Sequence, residues 1–436
     1  MKTSQDRVLT THVGSLPRPP ELRQLLVRKD QGEPYDKDAL DRLTQQAVVD
    51  IVRRQAETGI DIVNDGEMSK PGYSTYVADR LSGFAGHEPA QPRLDTRDHP
   101  NFLAAYERMT GANVARRAVC VGPIAVRDRA PLEQDIDNLR AALNQVSVVE
   151  GFMTAASPGL VPVFQTNRHY PTYEAYVEAI AAAMQDEYEA IVNAGFVLQL
   201  DCPDLAMAHH TSFQDLGEAD FLKRAAFHVE VLNHALRNVP ADRARIHICW
   251  GNYEGPHDHD IPFAKVAPIL VEAKPQALVV EAANPRHAHE WAVWKEVKLP
   301  DDKILVPGVL DTSTNYVEHP ELVAERLCRF ADIVGRERVI AGSDCGFGTF
   351  AGYGKLDPDI SFKKLRAMAE GGRPVGTAIR AAREFSSARR TLGLVRADAA
   401  GSGPEGSRDR AVSQPAPRDW SVPAIVCAHD GALSRR

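Results

Sequence analysis

Several things are scarce in this 436-residue chain, and each scarcity narrows its possible functions. No run approaches the roughly 18 apolar residues of a membrane span, and residues 1–7 are polar, without the apolar core of a secretory leader. There is no excess of positive charge: the formal net charge is −8, with Lys and Arg scattered. A nucleic-acid partner is therefore not expected. Cysteine is sparse, six in the whole chain. That is too few for a disulfide framework in a protein this long, and clustered cysteines in a reducing compartment point instead to metal binding or catalysis. The expectation is a cytoplasmic protein acting on small molecules, its oligomeric state left open.

What is present is an alternation. Short apolar runs at 9–15, 61–65, 118–124, 197–201, 245–250, 278–281, 304–311 and 339–344 read as strands. Amphipathic stretches at 36–58, 132–154, 173–194, 213–239, 262–273 and 320–334 read as helices. Eight β/α units in order predict an α/β fold, a (β/α)8 TIM barrel. Such barrels carry their active site at the C-terminal strand ends. The expected ends are Ser15, Glu67 (just past the second run), Pro123, Asp201, Cys249, Glu281, Asp311 and Cys345, mostly polar or able to bind a metal.

Two segments break the alternation. Residues 84–112 read as an excursion or lid, and 157–170 as an extra hairpin or loop. From 372 to 436 the composition changes, with eleven Arg, no Lys, and Gly/Pro/Ser/Ala clusters. The expected organisation is a catalytic barrel over 1–371 and a disordered tail over 372–436.

Three strand ends supply metal ligands: His247 and Cys249 from one run, Glu281 from the next, and Cys345 from the last. His247 and Cys249 are two apart on a strand and so face the same way. Two thiolates, an imidazole and a carboxylate form a zinc set. Zn²⁺ on those four carries a net charge near −1, and coordination ionises a further thiol whose free pKa is about 8.5. The carboxylate is the natural ligand to yield. His257 and His259, in Gly255-Pro256-His257-Asp258-His259-Asp260, read as a solvated loop in preference to a second metal site. Arg18, Lys70 and Arg168 read as surface ion-pair residues.

On these motifs the chain, from about residue 9 to 368, resembles the C-terminal catalytic barrel of cobalamin-independent methionine synthases. It also resembles the wider group of zinc thiol-alkyltransferases that includes epoxyalkane:coenzyme M transferase. The resemblance implies a barrel of the type shared with uroporphyrinogen decarboxylase. It implies zinc on His247, Cys249, Glu281 and Cys345, and a thiol-substrate pocket from Ser15, Glu67 and Asp201. Asp311, with Glu67, is the expected catalytic carboxylate, orienting the alkyl donor or managing a proton. The chain departs from methionine synthases on the donor side. Ser313 stands where they have a histidine after the seventh strand, Cys202 replaces the Glu of their Asp-Glu-Pro, and their tryptophan after Gly122-Pro123 is absent. The expected activity is alkyl transfer to a thiol, methionine synthase-like. The alternatives are thiol addition to an epoxide and, further off, a zinc-free decarboxylase-like barrel.

Overall fold

The computed structural model describes residues 1–110, 116–352 and 356–373. A parallel sheet runs in the order Ile62–Val63, Glu150–Ala156, Val197–Asp201, Ala244–His247, Ala277–Val280, Ile304–Leu310 and Gly342–Ser343. The segment around Thr10 closes it into a ring. The Thr11 N–H donates to the Ala341 carbonyl (2.8 Å) and the Ala341 N–H to the Leu9 carbonyl (2.8 Å). On its other side, the Ile62 N–H donates to the Thr10 carbonyl at 3.0 Å. Eight parallel segments thus surround one core, as the alternation predicted.

The third strand is not the expected one. The run at 118–124 does form a strand, Arg116–Cys120, but in a small side sheet: antiparallel to Phe84–Pro89 and parallel to Gln165–Asn167. The barrel strand is Glu150–Ala156, which overlaps the end of the stretch expected to be helical to 154; the helix there ends at Leu143. Pro123 is therefore not at a barrel strand end. The excursion contains the strand Phe84–Pro89 and the helices Leu94–Asp98 and Pro100–Thr110. The expected boundary at 372 falls within a helix described from 358 to 373, and the rest of the proposed tail lies outside the described residues.

Local chemistry sets the element ends. Asp36 caps the helix Lys37–Thr58 by accepting the Ala39 N–H at 2.9 Å, and Gly59 ends it at φ 95°. Thr172 caps Tyr173–Asn193 by accepting the Ala175 N–H at 3.1 Å. The barrel strands are buried on both faces, as parallel sheets require. A small inner cluster, including Leu9, Ile62, Phe152, Val197, Val279 and Ile340, fills the ring. The larger cluster lies between strands and helices. Arg245 is buried within the ring. It donates to Gln199 Oε1 (2.8 Å), Thr11 Oγ1 (2.9 Å) and the His12 carbonyl (2.7 Å), with its guanidinium 3.7 Å from the Phe152 ring centre. No helix among the described residues is long and apolar enough to cross a membrane.

Candidate metal centre and thiol site

His247 ends its strand, Cys249 follows two residues later, and Cys345 lies two residues past Ser343. One ligand atom from each lies within 4.8 Å of the others, and all three residues are buried. The two sulfurs are 3.7 Å apart. Two thiolates on one tetrahedral ion at about 2.3 Å lie roughly 3.8 Å from each other. Neither ring nitrogen of His247 has a hydrogen-bond partner, although the ring is buried. Unpaired buried nitrogens are costly, and a metal would satisfy one. This donor set therefore fits a borderline divalent cation such as Zn²⁺.

The two thiols differ in acidity. Cys345 is pulled down to about 6, chiefly by hydrogen bonding with Cys249 and also by His247, against burial. Cys249 is pushed well above its ordinary value by Cys345 and by burial. The Gly251 N–H donates to Cys249 Sγ at 3.1 Å, and Gly251 adopts φ 114°, which favours glycine.

Glu281 stands beside this trio, its carboxylate held by other groups. Oε1 accepts the Trp250 N–H at 3.0 Å. Oε2 accepts from Asn284 Nδ2 at 2.8 Å and Arg286 Nη2 at 3.1 Å. Asp344, the residue before Cys345, shapes the turn after Glu281. Its carboxylate accepts the N–H groups of Ala282, Ala283 and Asn284, each at 2.8 Å, and Asn284 Nδ2 at 2.7 Å. Gly308 leaves room for this, since a Cβ there would come within 2.6 Å of Asp344 Cα.

The substrate-side residues also converge. Asp201 is paired with His247 across adjacent strands. Burial, then the Glu67 charge, raises Asp201 to about 7. Glu67 has φ 57°, unusual for a residue with a side chain. Its Oε1 accepts from Thr154 Oγ1 at 3.0 Å, whereas its Oε2 is buried with no partner. Gly14, at φ 144°, keeps that side clear: a Cβ there would meet Thr154 Cγ2 at 2.7 Å and Glu67 Oε1 at 3.0 Å. Ser15 is buried; its carbonyl accepts the Phe347 N–H at 2.7 Å and its Oγ the Gly348 N–H at 3.4 Å, tying it to the turn after Cys345.

Asp311 is engaged with its own turn. It accepts from the Ser313 N–H (2.9 Å), Ser313 Oγ (2.8 Å) and Thr314 Oγ1, and these donors hold it below the usual carboxylate range despite burial. As an orienting anion it is well prepared; as a proton donor or a base it is not. A cavity of about 30 Å³, lined by Asn252, Tyr253, Thr312, Ser313 and Phe347 among others, adjoins this turn. It has room for about one water.

Two expectations change. Arg18 and Lys70 are buried rather than on the surface. Lys70 Nζ donates to the Thr154 carbonyl (2.6 Å) and Oγ1 (3.1 Å), completing a Lys70–Thr154–Glu67 chain. Arg18 Nε donates to the Glu67 carbonyl at 3.2 Å. Only Arg168 is an exposed pair, with Glu88 at 3.0 Å. Thr154 escaped notice because its strand reads as helix. Asp344 and Asn284 had only their proximity to Cys345 and Glu281 as a signal.

Comparison with known proteins bears on the family and the fold. The family model "Cobalamin-independent synthase, Catalytic domain" matches residues 8–368. The chain is 26% identical over 364 residues to a methionine synthase of Sulfolobus acidocaldarius, covering 83% of this chain and 90% of that one. It is 26% identical over 371 residues to a methionine synthase of Saccharolobus solfataricus, covering 84% and 94%. Among solved structures, a B12-independent methionine synthase from Shewanella sp. W3-18-1, in complex with selenomethionine, superposes with a TM-score of 0.64. That match is at 19% identity and covers 87% of this chain and 99% of that one. A putative B12-independent methionine synthase from Listeria monocytogenes gives 0.58 at 20% identity, covering 84% and 98%. At those identities the structural likeness speaks to the fold.

Proposed function

The chain belongs to the cobalamin-independent synthase catalytic-domain family, and from that premise we propose that it moves a methyl or other alkyl group onto an amino-thiol held on zinc. The barrel over 1–371 is the proposed catalytic unit. His247, Cys249 and Cys345 hold the ion, with Glu281 as the exchangeable fourth ligand. The observation that carries this reading is the pair of sulfurs 3.7 Å apart beside a buried imidazole with two unpartnered nitrogens. When bound, Zn²⁺ supplies a thiolate nucleophile at neutral pH and a template for it.

The chain's own residues do the rest. Glu281 would be the fourth ligand that yields to the thiol, and Arg286, Asn284 and the Trp250 N–H, which hold its carboxylate, would keep it from being an uncompensated charge. Glu67 offers its free Oε2 to the substrate ammonium, with Asp201 beside it as the second carboxylate. Such charge-assisted bonds fix the thiol's orientation. Ser15 sets the wall between this pocket and Cys345. Asp311, ionised and held by Ser313 and Thr314, faces the donor side as an orienting anion. The reaction is an in-line displacement at carbon: the thiol sulfur forms the new S–C bond and the donor departs with the electron pair. A free buried carboxylate oxygen in the thiol pocket favours a substrate with an amino group, such as homocysteine, over a sulfonate thiol.

The test uses reduced, zinc-loaded protein with homocysteine plus methyltetrahydrofolate, and separately with coenzyme M plus epoxypropane. Homocysteine methylation supports the reading. Turnover confined to the coenzyme M arm refutes it, as does activity that survives Cys249→Ser with the zinc gone.

A further inference from the structure

A second group of metal-ligating side chains, distinct from the cysteine pair, is drawn from the excursion and two loops after strands. Asp95 comes from the excursion helix Leu94–Asp98, His210 from the short turn Met207–His210 after the fourth barrel strand, and His257 from the loop after the fifth. One ligand atom from each lies within 4.8 Å of the others, and all three residues are buried. His257, expected in a solvated loop, has a fully buried side chain.

The hydrogen bonding around this group is incomplete. Asp95 Oδ1 accepts the Thr96 N–H at 2.8 Å, but Oδ2 is buried without a partner. His210 is fully buried and neither ring nitrogen makes a hydrogen bond. Its Nδ1 lies 3.3 Å from Asp260 Oδ1 without a hydrogen bond, so a small rotation of the ring would let that carboxylate orient it and leave the other nitrogen for an ion. His257 Nδ1 lies 3.1 Å from both oxygens of Asp260, and its Nε2 lies 3.1 Å from the Tyr253 carbonyl. Both nitrogens therefore face acceptors, yet a neutral imidazole carries one N–H. A second ring proton, or a metal ion at one nitrogen, removes that conflict. The nearby basic groups are Arg93, stacked on the Tyr253 ring at 4.1 Å, and Arg286 and His287, which lie 3.4 and 3.2 Å from Asp260 Oδ2.

We propose that Asp95, His210 and His257 form a second site for a divalent transition-metal ion, with Asp260 orienting the imidazoles. Two imidazoles and a carboxylate suit Zn²⁺ or Fe²⁺, and donors about 2.1 Å from a tetrahedral ion lie roughly 3.4 Å apart, inside the observed spread. The ion would clamp the excursion to two barrel loops. It would also be coupled to the thiol site: Arg286 reaches Asp260 Oδ2 at 3.4 Å and Glu281 Oε2 at 3.1 Å.

The test is metal stoichiometry of the full chain, purified under reducing conditions, stripped and reloaded with Zn²⁺ or Co²⁺. The wild type is expected to hold two equivalents, and Asp95→Asn and His257→Gln one each. Cys249→Ser is expected to hold one, and its Co²⁺ form to lack the thiolate charge-transfer band while keeping ligand-field bands. A single equivalent in the wild type that Asp95→Asn leaves unchanged overturns the proposal. So do two equivalents that persist in both Asp95→Asn and His257→Gln. One equivalent lost in Asp95→Asn but kept in Cys249→Ser supports this site while refuting the zinc-thiolate reading. Asp95→Asn is isosteric, and circular dichroism checks its fold; if it misfolds, His257→Gln gives the readout.

Discussion

Replacing Glu67 with Gln tests the thiol pocket where it is most specific. Glu67 Oε1 is satisfied by Thr154 Oγ1 at 3.0 Å, and a Gln carbonyl can keep that bond. The change falls on Oε2, which is buried and unpartnered and so free for an incoming ammonium. Gln puts an N–H₂ there, a donor facing a donor. A hydrogen bond to a charged group contributes about 1.5–3 kcal/mol, and each 1.4 kcal/mol is tenfold in affinity. Glu67→Gln should therefore weaken homocysteine binding roughly ten- to hundredfold. 4-Mercaptobutanoate, the same thiol without its amino group, should bind both proteins alike. The assay needs no alkyl donor: each thiol is titrated into Co²⁺-loaded protein and the thiolate–cobalt band gives Kd. Equal weakening for both thiols, or none for homocysteine, would refute the reasoning, because Glu67 would then be acting on the metal or the fold rather than on the ammonium.

Other outcomes follow from the same geometry. Cys345→Ser should lose the thiolate-bound metal, read as one fewer equivalent of zinc per chain; unchanged content would remove Cys345 from the ligand set. Gly308→Ala brings a Cβ to 2.6–2.7 Å from the Asp344 backbone. It should lower stability by about 1–3 kcal/mol, seen as a lower urea midpoint, and weaken zinc binding through the turn that carries Glu281. His12 is buried beside Gln55, at 2.7 Å, and burial lowers it from 6.5 to about 4. Between those values the unfolded chain binds more protons than the folded one. The stabilisation is thus fully present above pH 6.5 and is lost as pH falls toward 4. From pH 8 to pH 5 the loss should be about 2 kcal/mol. His12→Gln should flatten the dependence of the urea midpoint on pH by that amount, and an unaltered slope would contradict it.

Seven of the eight barrel segments were legible as apolar runs because buried parallel strands need continuous Val, Ile and Leu. The exception is instructive. Residues 150–156 read Glu-Gly-Phe-Met-Thr-Ala-Ala, with little β-branching, directly after a helix. The more strand-like run at 118–124 went to the side sheet instead, since strand character does not say which sheet a strand joins. At the candidate site, residue type and position at strand ends were enough to expect His247, Cys249, Cys345, Glu67 and Asp201 to lie together, because a barrel gathers such ends. What one dimension could not convey was hydrogen-bond occupancy. Glu281 is already held by three donors, Asp311 is saturated by its own turn, and Glu67 and His210 keep unpartnered atoms.

The closure of the ring through Thr10 has a consequence for the order of events on the ribosome. The Val13 N–H donates to Ser343 Oγ, 330 residues away, at 3.2 Å, and Ser15 packs on the turn after Cys345. The first strand emerges early, yet its partner on one side is the last strand to be made. Until then a nascent chain has two open sheet edges, and a long loop must close before those contacts form. The proposed metal set, which needs Cys345, would for the same reason be completed late, and the incomplete barrel is the species most exposed to misassembly.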